Sequence, residues 1–571
     1  MLNRRQWLQQ SGTGLLGATL LSPAHAARPV EPQVQRGHPP VLRGQQFELH
    51  IDRARIEVGG RPHWATVVNG HLPGPTLRWR EGDVVQIRVV NHLSEPTSIH
   101  WHGILLPSDM DGVPGLSFAG IPAGGEFVYQ FPVQQSGTYW YHAHSGFQEQ
   151  TGLLGGIIID PAQPDPIQAD AEHLLVLSDW AMAPPQALLS KLRTQSGFDN
   201  IHPPTAGRFW RDIQQLGWQR AVALRQMWQQ MRMSPTDFSD LSGRTSLRYL
   251  INGCETAAPC RIQAAAGQRL RLRLINGSAQ TIFDVKIPGT ALTVVAADGL
   301  PVQPVTVEEF RIGVAEVYDV LVDAGAVSRL LVAQSIDRSA QVQAVLAVPG
   351  GGIPPLPPLD PVQWLSMQDM MGDHHGAVRA RHARSEYGWQ TDMRVDHPRT
   401  RLDDPGVNLR HARQQGRRVL SYADLRPLRD EPEAQRSPDR EIELHLTGNM
   451  ARYVWGFDGL TYEQSSPIEL VAGERVRFRL VNDTMMTHPM HLHGMWSDLR
   501  QPDGQWQVRK HTILVQPAQQ VCFDVTAVEG RWAFHCHLLY HMSTGMFREV
   551  YVRAREGEAQ HQSGGHHHAQ H

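Results

Sequence analysis

Near the end of the chain, His535-Cys536-His537 is followed by His541 and Met546. In an extended strand successive side chains alternate faces, so Cys536 points one way and the two histidines the other, about 6.6–7 Å apart along the strand. One strand can therefore serve two metal sites. The thiolate of Cys536, the imidazole of His541 from the following loop and the thioether of Met546 supply most of a trigonal copper site with a long axial bond, the electron-transfer kind. His535 and His537 face whatever lies behind the strand, which gives an electron at the thiolate a short covalent path to it.

Histidines in His-x-His spacing also occur at His100/His102, His142/His144 and His491/His493. With 30 histidines in 571 residues, one such pair would mean little; their register carries the weight. Gly137 precedes His142 by the same interval as Gly530 precedes His535, so His142-Ala143-His144 lies over His535-Cys536-His537. In that register Ala143, Gln148 and Leu153 replace Cys536, His541 and Met546. The other two pairs precede glycine, as His100-Trp101-His102-Gly103 and His491-Leu492-His493-Gly494. Eight neutral imidazoles gathered between the first and last parts of the chain suit a cluster of three coppers. His488 is then left to supply the second imidazole of the Cys536 site.

The elements that must position these groups are legible as an internal repeat. Gly82 to Asn91, Gly267 to Asn276 and Gly473 to Asn482 share one length and one alternation of apolar and polar residues, and each follows a turn dipeptide at Asn69, Asn252 or Asp458. Alternation of this kind is that of a half-buried strand. Three tandem Greek-key β-sandwiches follow, with helix expected only around Arg220 to Met233. The second copy has no histidine from Asn252 to Gly372, so it is read as a spacer or docking surface.

At the other end, Asn3-Arg4-Arg5-Gln6-Trp7-Leu8 precedes a short apolar run from Gly12 to Leu21 and the small-residue pattern Ala24-His25-Ala26. This resembles a twin-arginine export signal, residues 1–26, and places the mature protein in the periplasm. No later stretch approaches the length of a membrane helix. The chain has four cysteines; with Cys536 assigned, an oxidising compartment permits a Cys254–Cys260 disulfide and leaves Cys522 as a buried free thiol. A net charge of -3 and a pI near 6.9 point to neither nucleic acid nor an anionic membrane as partner.

His-x-His-Gly, His-x-His, His-x-x-His-x-His and His-Cys-His-x-x-x-His-x-x-x-x-Met together resemble the multicopper oxidases over nearly the whole mature chain. Met231-Arg232-Met233-Ser234-Pro235-Thr236-Asp237 and His445-Leu446-Thr447-Gly448-Asn449-Met450 look like the periplasmic copper-resistance protein A subgroup. The resemblance implies three cupredoxin-like domains, at 45–165, 170–350 and 435–555, the second without copper ligands. A Pro/Gly-rich linker at 351–434 and a His-rich tail at 556–571 complete the organisation. It further implies four copper ions: type 1 at His488, Cys536, His541 and Met546; type 2 at His100 and His491; one type 3 at His102, His142 and His537; the other at His144, His493 and His535. Dioxygen would be reduced to water by four electrons entering one at a time at the type 1 end. Asp111, in Asp111-Gly112-Val113-Pro114-Gly115, resembles the family's proton-relay acid, whereas the acid that some relatives carry after the type 1 histidine is Met542 here.

Methionines bear on the reductant, because thioethers prefer Cu(I). Met485, Met486, Met490 and Met495 crowd the third-domain histidines, and the linker carries Met367, Met370, Met371, His374 and His375. Cu(I) is the expected substrate, with a laccase-like phenol oxidase or a non-catalytic copper store as alternatives. The partners expected are O2, Cu(I) or small phenolic reductants, and other periplasmic copper-handling proteins.

Overall fold

The computed structural model describes residues 34–202, 205–231, 236, 238–373 and 378–555. The expected export signal, His374 and His375, the His-rich tail and most of the Arg232–Asp237 stretch lie outside them.

The described residues form three pairs of facing sheets. In the first pair, a four-stranded sheet runs Arg61–Val68, Gln46–Val58, Val84–Asn91, Glu126–Pro132. Its partner runs Val41–Arg43, Gly74–Arg80, Leu154–Asp160, Gly137–His142, His100–His102. The second pair has six and five strands around Arg269–Asn276 and Arg329–Ser335, and the third has six and five around Arg475–Asn482 and Gly530–Cys536. The mainly β architecture expected from the alternation is what the chain adopts.

Each repeated segment is an inner strand, and the asparagine that closes it explains the repeat. In Val84–Asn91, Val85, Ile87, Val89 and Asn91 face inward. Asn91, Asn276 and Asn482 are fully buried. The Asn482 amide donates to Met486 O and Val515 O, and its oxygen accepts from Thr484 N; Asn276 donates to Thr281 O and Ile312 O. The side chain thus ties the strand end to the loop leading to the opposite sheet. Asn482→Ala removes the side-chain donor to Val515 O and the acceptor of Thr484 N, while Met486 O keeps Thr484 Oγ1, and at about 1–3 kcal/mol for each buried group a loss of roughly 2–6 kcal/mol is expected in denaturant unfolding of the metal-free protein. A loss under about 1 kcal/mol would show that the repeat has another cause.

The turns read as Asn-Gly and Asp-Gly hold left-handed backbone at both positions, with Asn69, Asn252 and Asp458 at φ 51°, 49° and 54°. Helix is more extensive than expected. Besides Trp218–Met231, the chain forms Pro185–Thr194 and Ala206–Leu216, whose Ala, Leu, Gln and Arg content favours helix. The 351–434 connection is not a loose linker. Arg399 exchanges backbone hydrogen bonds with Ala518 and Gln520, while Arg426 O and Arg418 O accept from Gln303 N and Glu308 N. It is a strap stitched to strands of both the second and the third sheet pairs.

The expected disulfide is not formed: all four cysteines are free thiols. Cys260 is turned toward Gly37 O at 3.4 Å, and its hydrogen bond to Cys254 lowers the Cys254 thiol while raising its own. Burial pushes the Cys522 thiol up.

Candidate metal centre

The strand Gly530–Cys536 pairs antiparallel with His488–Leu492, setting Met490 opposite Cys536 and His491 opposite His535. Cys536 Sγ lies 3.4 Å from His488 Nδ1 and 3.9 Å from His541 Nδ1, and the two nitrogens are 3.3 Å apart. All three side chains are fully buried, as is Met546. The loop closes through Cys536 N to Met546 O and Met546 N to His541 O, which brings the methionine back to the cysteine. The far nitrogens are held as well: His488 Nε2 by Thr484 Oγ1 at 2.7 Å and His541 Nε2 by Asp240 Oδ2 at 2.8 Å. Carboxylate or hydroxyl partners on the outer nitrogen turn the inner lone pair to a metal. Trp455 stacks on His541 at 3.8 Å. Burial pushes the Cys536 thiol up, so thiolate character at this position calls for a cation.

On the other face of the strand, the eight paired histidines meet. His100 stacks on His493 and His102 on His491, each pair at 3.8 Å between centroids. His535 Nε2 lies 3.4 Å from His144 Nε2 and 3.0 Å from His493 Nε2. The rings of His102, His142 and His537 are 5.0–5.6 Å apart. The nitrogens His100 Nε2, His102 Nδ1, His142 Nε2, His491 Nε2 and His537 Nε2 are buried without hydrogen-bond partners. Orphaned donors or acceptors in such number are costly unless something else binds them. Burial, then the neighbouring imidazoles, hold His102, His142, His144, His491, His493 and His537 well below the usual histidine range; burial takes His535 to about 4. These are neutral rings with lone pairs facing a common centre, and the donor set fits copper.

The glycine after two of the histidine pairs has a steric cause. A Cβ on Gly103, at φ 79°, would come within 2.5 Å of the His511 ring, and one on Gly494 within 2.2 Å of Trp532. Asp111 is buried behind the cluster, with Oδ2 2.8 Å from His493 Nδ1 and Oδ1 3.3 Å from His100 Nδ1.

Chain-wide family models decide the kinship: the multicopper oxidase description matches residues 50–164, 218–346 and 435–556. The chain belongs to the multicopper oxidases. As a multicopper oxidase it is an oxidoreductase, of the copper-resistance protein A type. It is 46% identical to copper resistance protein A of Pseudomonas syringae pv. tomato and to that of Escherichia coli, over 90% of this chain and 93% of each relative. A multicopper oxidase of Mycobacterium tuberculosis is 32% identical over 86% of this chain and 84% of its own. Among solved structures, Fet3p, a multicopper oxidase that functions in iron import, superposes with a TM-score of 0.63 over 90% of both chains at 19% identity.

Three polar groups of this multicopper oxidase's centre escape sequence reasoning. Glu149 is buried with Oε2 2.7 Å from His142 Nδ1 and Oε1 3.9 Å from His537 Nδ1; its one sequence signal is a carboxylate just after His142-Ala143-His144. Burial, then Asp179, pushes it well up. His511 Nδ1 lies 3.2 Å from His102 Nε2, and its carbonyl accepts from His491 Nδ1 at 2.6 Å. Asp240 bonds His541, Tyr453 and Gln280 from a segment with no motif.

The seven methionines divide. Met370, Met371 and Met485 pack together with Met393 around Trp364 and Val407. Met486, Met490 and Met495 lie in the main core, and Met367 is exposed.

Proposed function

We propose that this oxidoreductase oxidises Cu(I) to Cu(II) with O2 as acceptor, in the periplasm, as a copper-resistance enzyme. Copper at Cys536, His488, His541 and Met546 (type 1), at His100 and His491 (type 2), and at the two remaining histidine triads (type 3) supplies one-electron uptake and four-electron delivery to O2. Cys536 and its flanking His535 and His537 join the two ends through the strand backbone. Asp111 Oδ2 accepts from His493 Nδ1, and Glu149 Oε2 lies 2.7 Å from His142 Nδ1, whose ring is held by Ala143 O, which keeps two carboxyl groups next to the cluster. His144 stands on the wall of a cleft of about 870 Å³ between Trp64, Pro96 and Pro185, a passage by which dioxygen and water reach the histidines. The paired arginines Arg4-Arg5 before the apolar run support export by the twin-arginine pathway.

The observation that supports the substrate is that Met370, Met371, Met393 and Met485 fall in one packing cluster, with Met485 beside Thr484 on the loop that leads into His488. His541 does not offer a free edge to a phenol: its Nε2 is bonded to Asp240, its face covered by Trp455, and the side chain fully buried. Changing the four methionines to leucine keeps the apolar volume and removes the soft donors. Oxygen uptake with Cu(I) is expected to fall about 10- to 100-fold in kcat/KM, equivalent to roughly 1.4–2.8 kcal/mol, while phenol turnover holds. Unchanged Cu(I) turnover would sink the substrate reading, and no uptake with any reductant in the copper-loaded protein would leave a copper store instead.

A further inference from the structure

Away from the copper ligands, four titratable side chains converge where the strap meets the third sheet pair. His382 and Glu386 come from the strap, His445 from the strand Arg440–Asn449 and Asp483 from the loop after Asn482. Glu386 Oε2 is 2.8 Å from His382 Nδ1 and 3.3 Å from His445 Nδ1. Asp483 Oδ2 is 2.7 Å from His445 Nδ1 and 3.5 Å from His382 Nδ1. Side-chain exposure is 5% for His382, 2% for His445 and zero for both acids.

The remaining atoms of the same groups are turned outward and held. Glu386 Oε1 accepts from Ala383 N and Asp483 Oδ1 from Val395 N, each at 2.7 Å. His445 Nε2 has Glu443 Oε1 at 3.3 Å, and His382 Nε2, buried without a hydrogen-bond partner, has Asp396 Oδ1 at 3.5 Å. Three of the four ligand atoms thus point inward with their partner atom hydrogen-bonded, and His382 Nε2 faces the Asp396 carboxylate, the pattern of carboxylate-backed histidines at metal sites. Ligands 2.0–2.1 Å from a tetrahedral cation sit about 3.3–3.4 Å apart; the 3.3 and 3.5 Å separations match this, and a cation would replace the two His–carboxylate hydrogen bonds of 2.7 and 2.8 Å. The site also carries more negative charge than two neutral rings offset: against burial, Asp483, Glu443 and Glu386 push His445 up to about 10.

We propose that His382 Nδ1, His445 Nδ1, Glu386 Oε2 and Asp483 Oδ2 form a further metal site for a divalent borderline cation, Zn2+ or Cu2+. Two imidazoles and two carboxylates select a divalent ion over Cu(I), for which thioether and thiolate donors are better. The site is separate from the four-copper reading and does not depend on it. A cation there clamps the strap to the third sheet pair at Asp483, next to Thr484, which holds His488.

Two measurements on the copper-loaded full chain test it. Crystals grown with Zn2+, and others with added Cu2+, are expected to give an anomalous peak about 2.0–2.2 Å from the four atoms with at least one of the two metals; the edge energy tells which. In equilibrium dialysis against that metal, wild type is expected to hold one equivalent more than His382→Gln and Glu386→Gln, with type 1 absorption retained in all three; the His-rich tail is common to them. No peak with either metal overturns the site, whatever the variants do. So does equal metal content in wild type and both variants.

Discussion

Replacing Cys536 by serine is expected to lower oxidase turnover by at least about a thousandfold, some 4 kcal/mol of barrier, while about three coppers remain bound. Serine matches the shape, but its oxygen is a hard donor, and the trigonal site needs a soft thiolate. The loss is selective because alternation along Gly530–Cys536 places the thiol on the face opposite His535 and His537. The eight-histidine cluster keeps every ligand, since its other members come from His100–His102, His142–His144 and His491–His493. Optical spectra should lose the thiolate-to-copper band, and metal analysis should show one copper fewer than wild type. Turnover within tenfold of wild type, with the band gone, would mean that electrons reach the cluster by a route that bypasses Cys536.

What the sequence made legible here was whatever repeats. The Gly-to-Asn strands, the turn dipeptides and the four histidine pairs each occur at equivalent places, so register alone located them, and the strands pair as the alternation requires. Glu149, Asp240 and His511 have no counterpart in a second copy. They reach the centre because burial leaves an imidazole nitrogen needing an acceptor, a requirement met by whichever chain segment passes closest in space. Glu149 stands 2.7 Å from His142 Nδ1, and Asp240 meets His541 from the region before Leu247. Methionine shows the converse limit. Met486 and Met485 are neighbours in sequence, yet one faces the main core and the other the thioether group, because the loop between Asn482 and His488 turns at that point. Composition alone does not separate a packing thioether from one available to a metal.

The disposition of Asp111 and Glu149 gives the second large effect. Asp111 Oδ2 accepts from His493 Nδ1, and Glu149 Oε2 stands 2.7 Å from His142 Nδ1. No histidine is shared, so each acid backs a different part of the cluster. The residue directly after His541 is Met542, so Glu149 supplies the second carboxyl group beside the cluster. A carboxylate behind a metal-binding imidazole fixes the ring and raises its basicity, and removing one costs about 10- to 100-fold in affinity or activity. Glu149→Gln and Asp111→Asn keep the size of each side chain but remove its capacity to take up and release a proton, so each is expected to fall in that range. With independent partners the free energies add, and the double variant should lose roughly 10²- to 10⁴-fold in turnover. Copper content and the spin-resonance signal separate the causes: retained copper with an unchanged signal places the loss in proton supply, whereas a new signal from uncoupled copper places it in ring position. A double variant no slower than the worse single one would mean that the two acids act on one step and that Glu149 is not an independent support of the cluster.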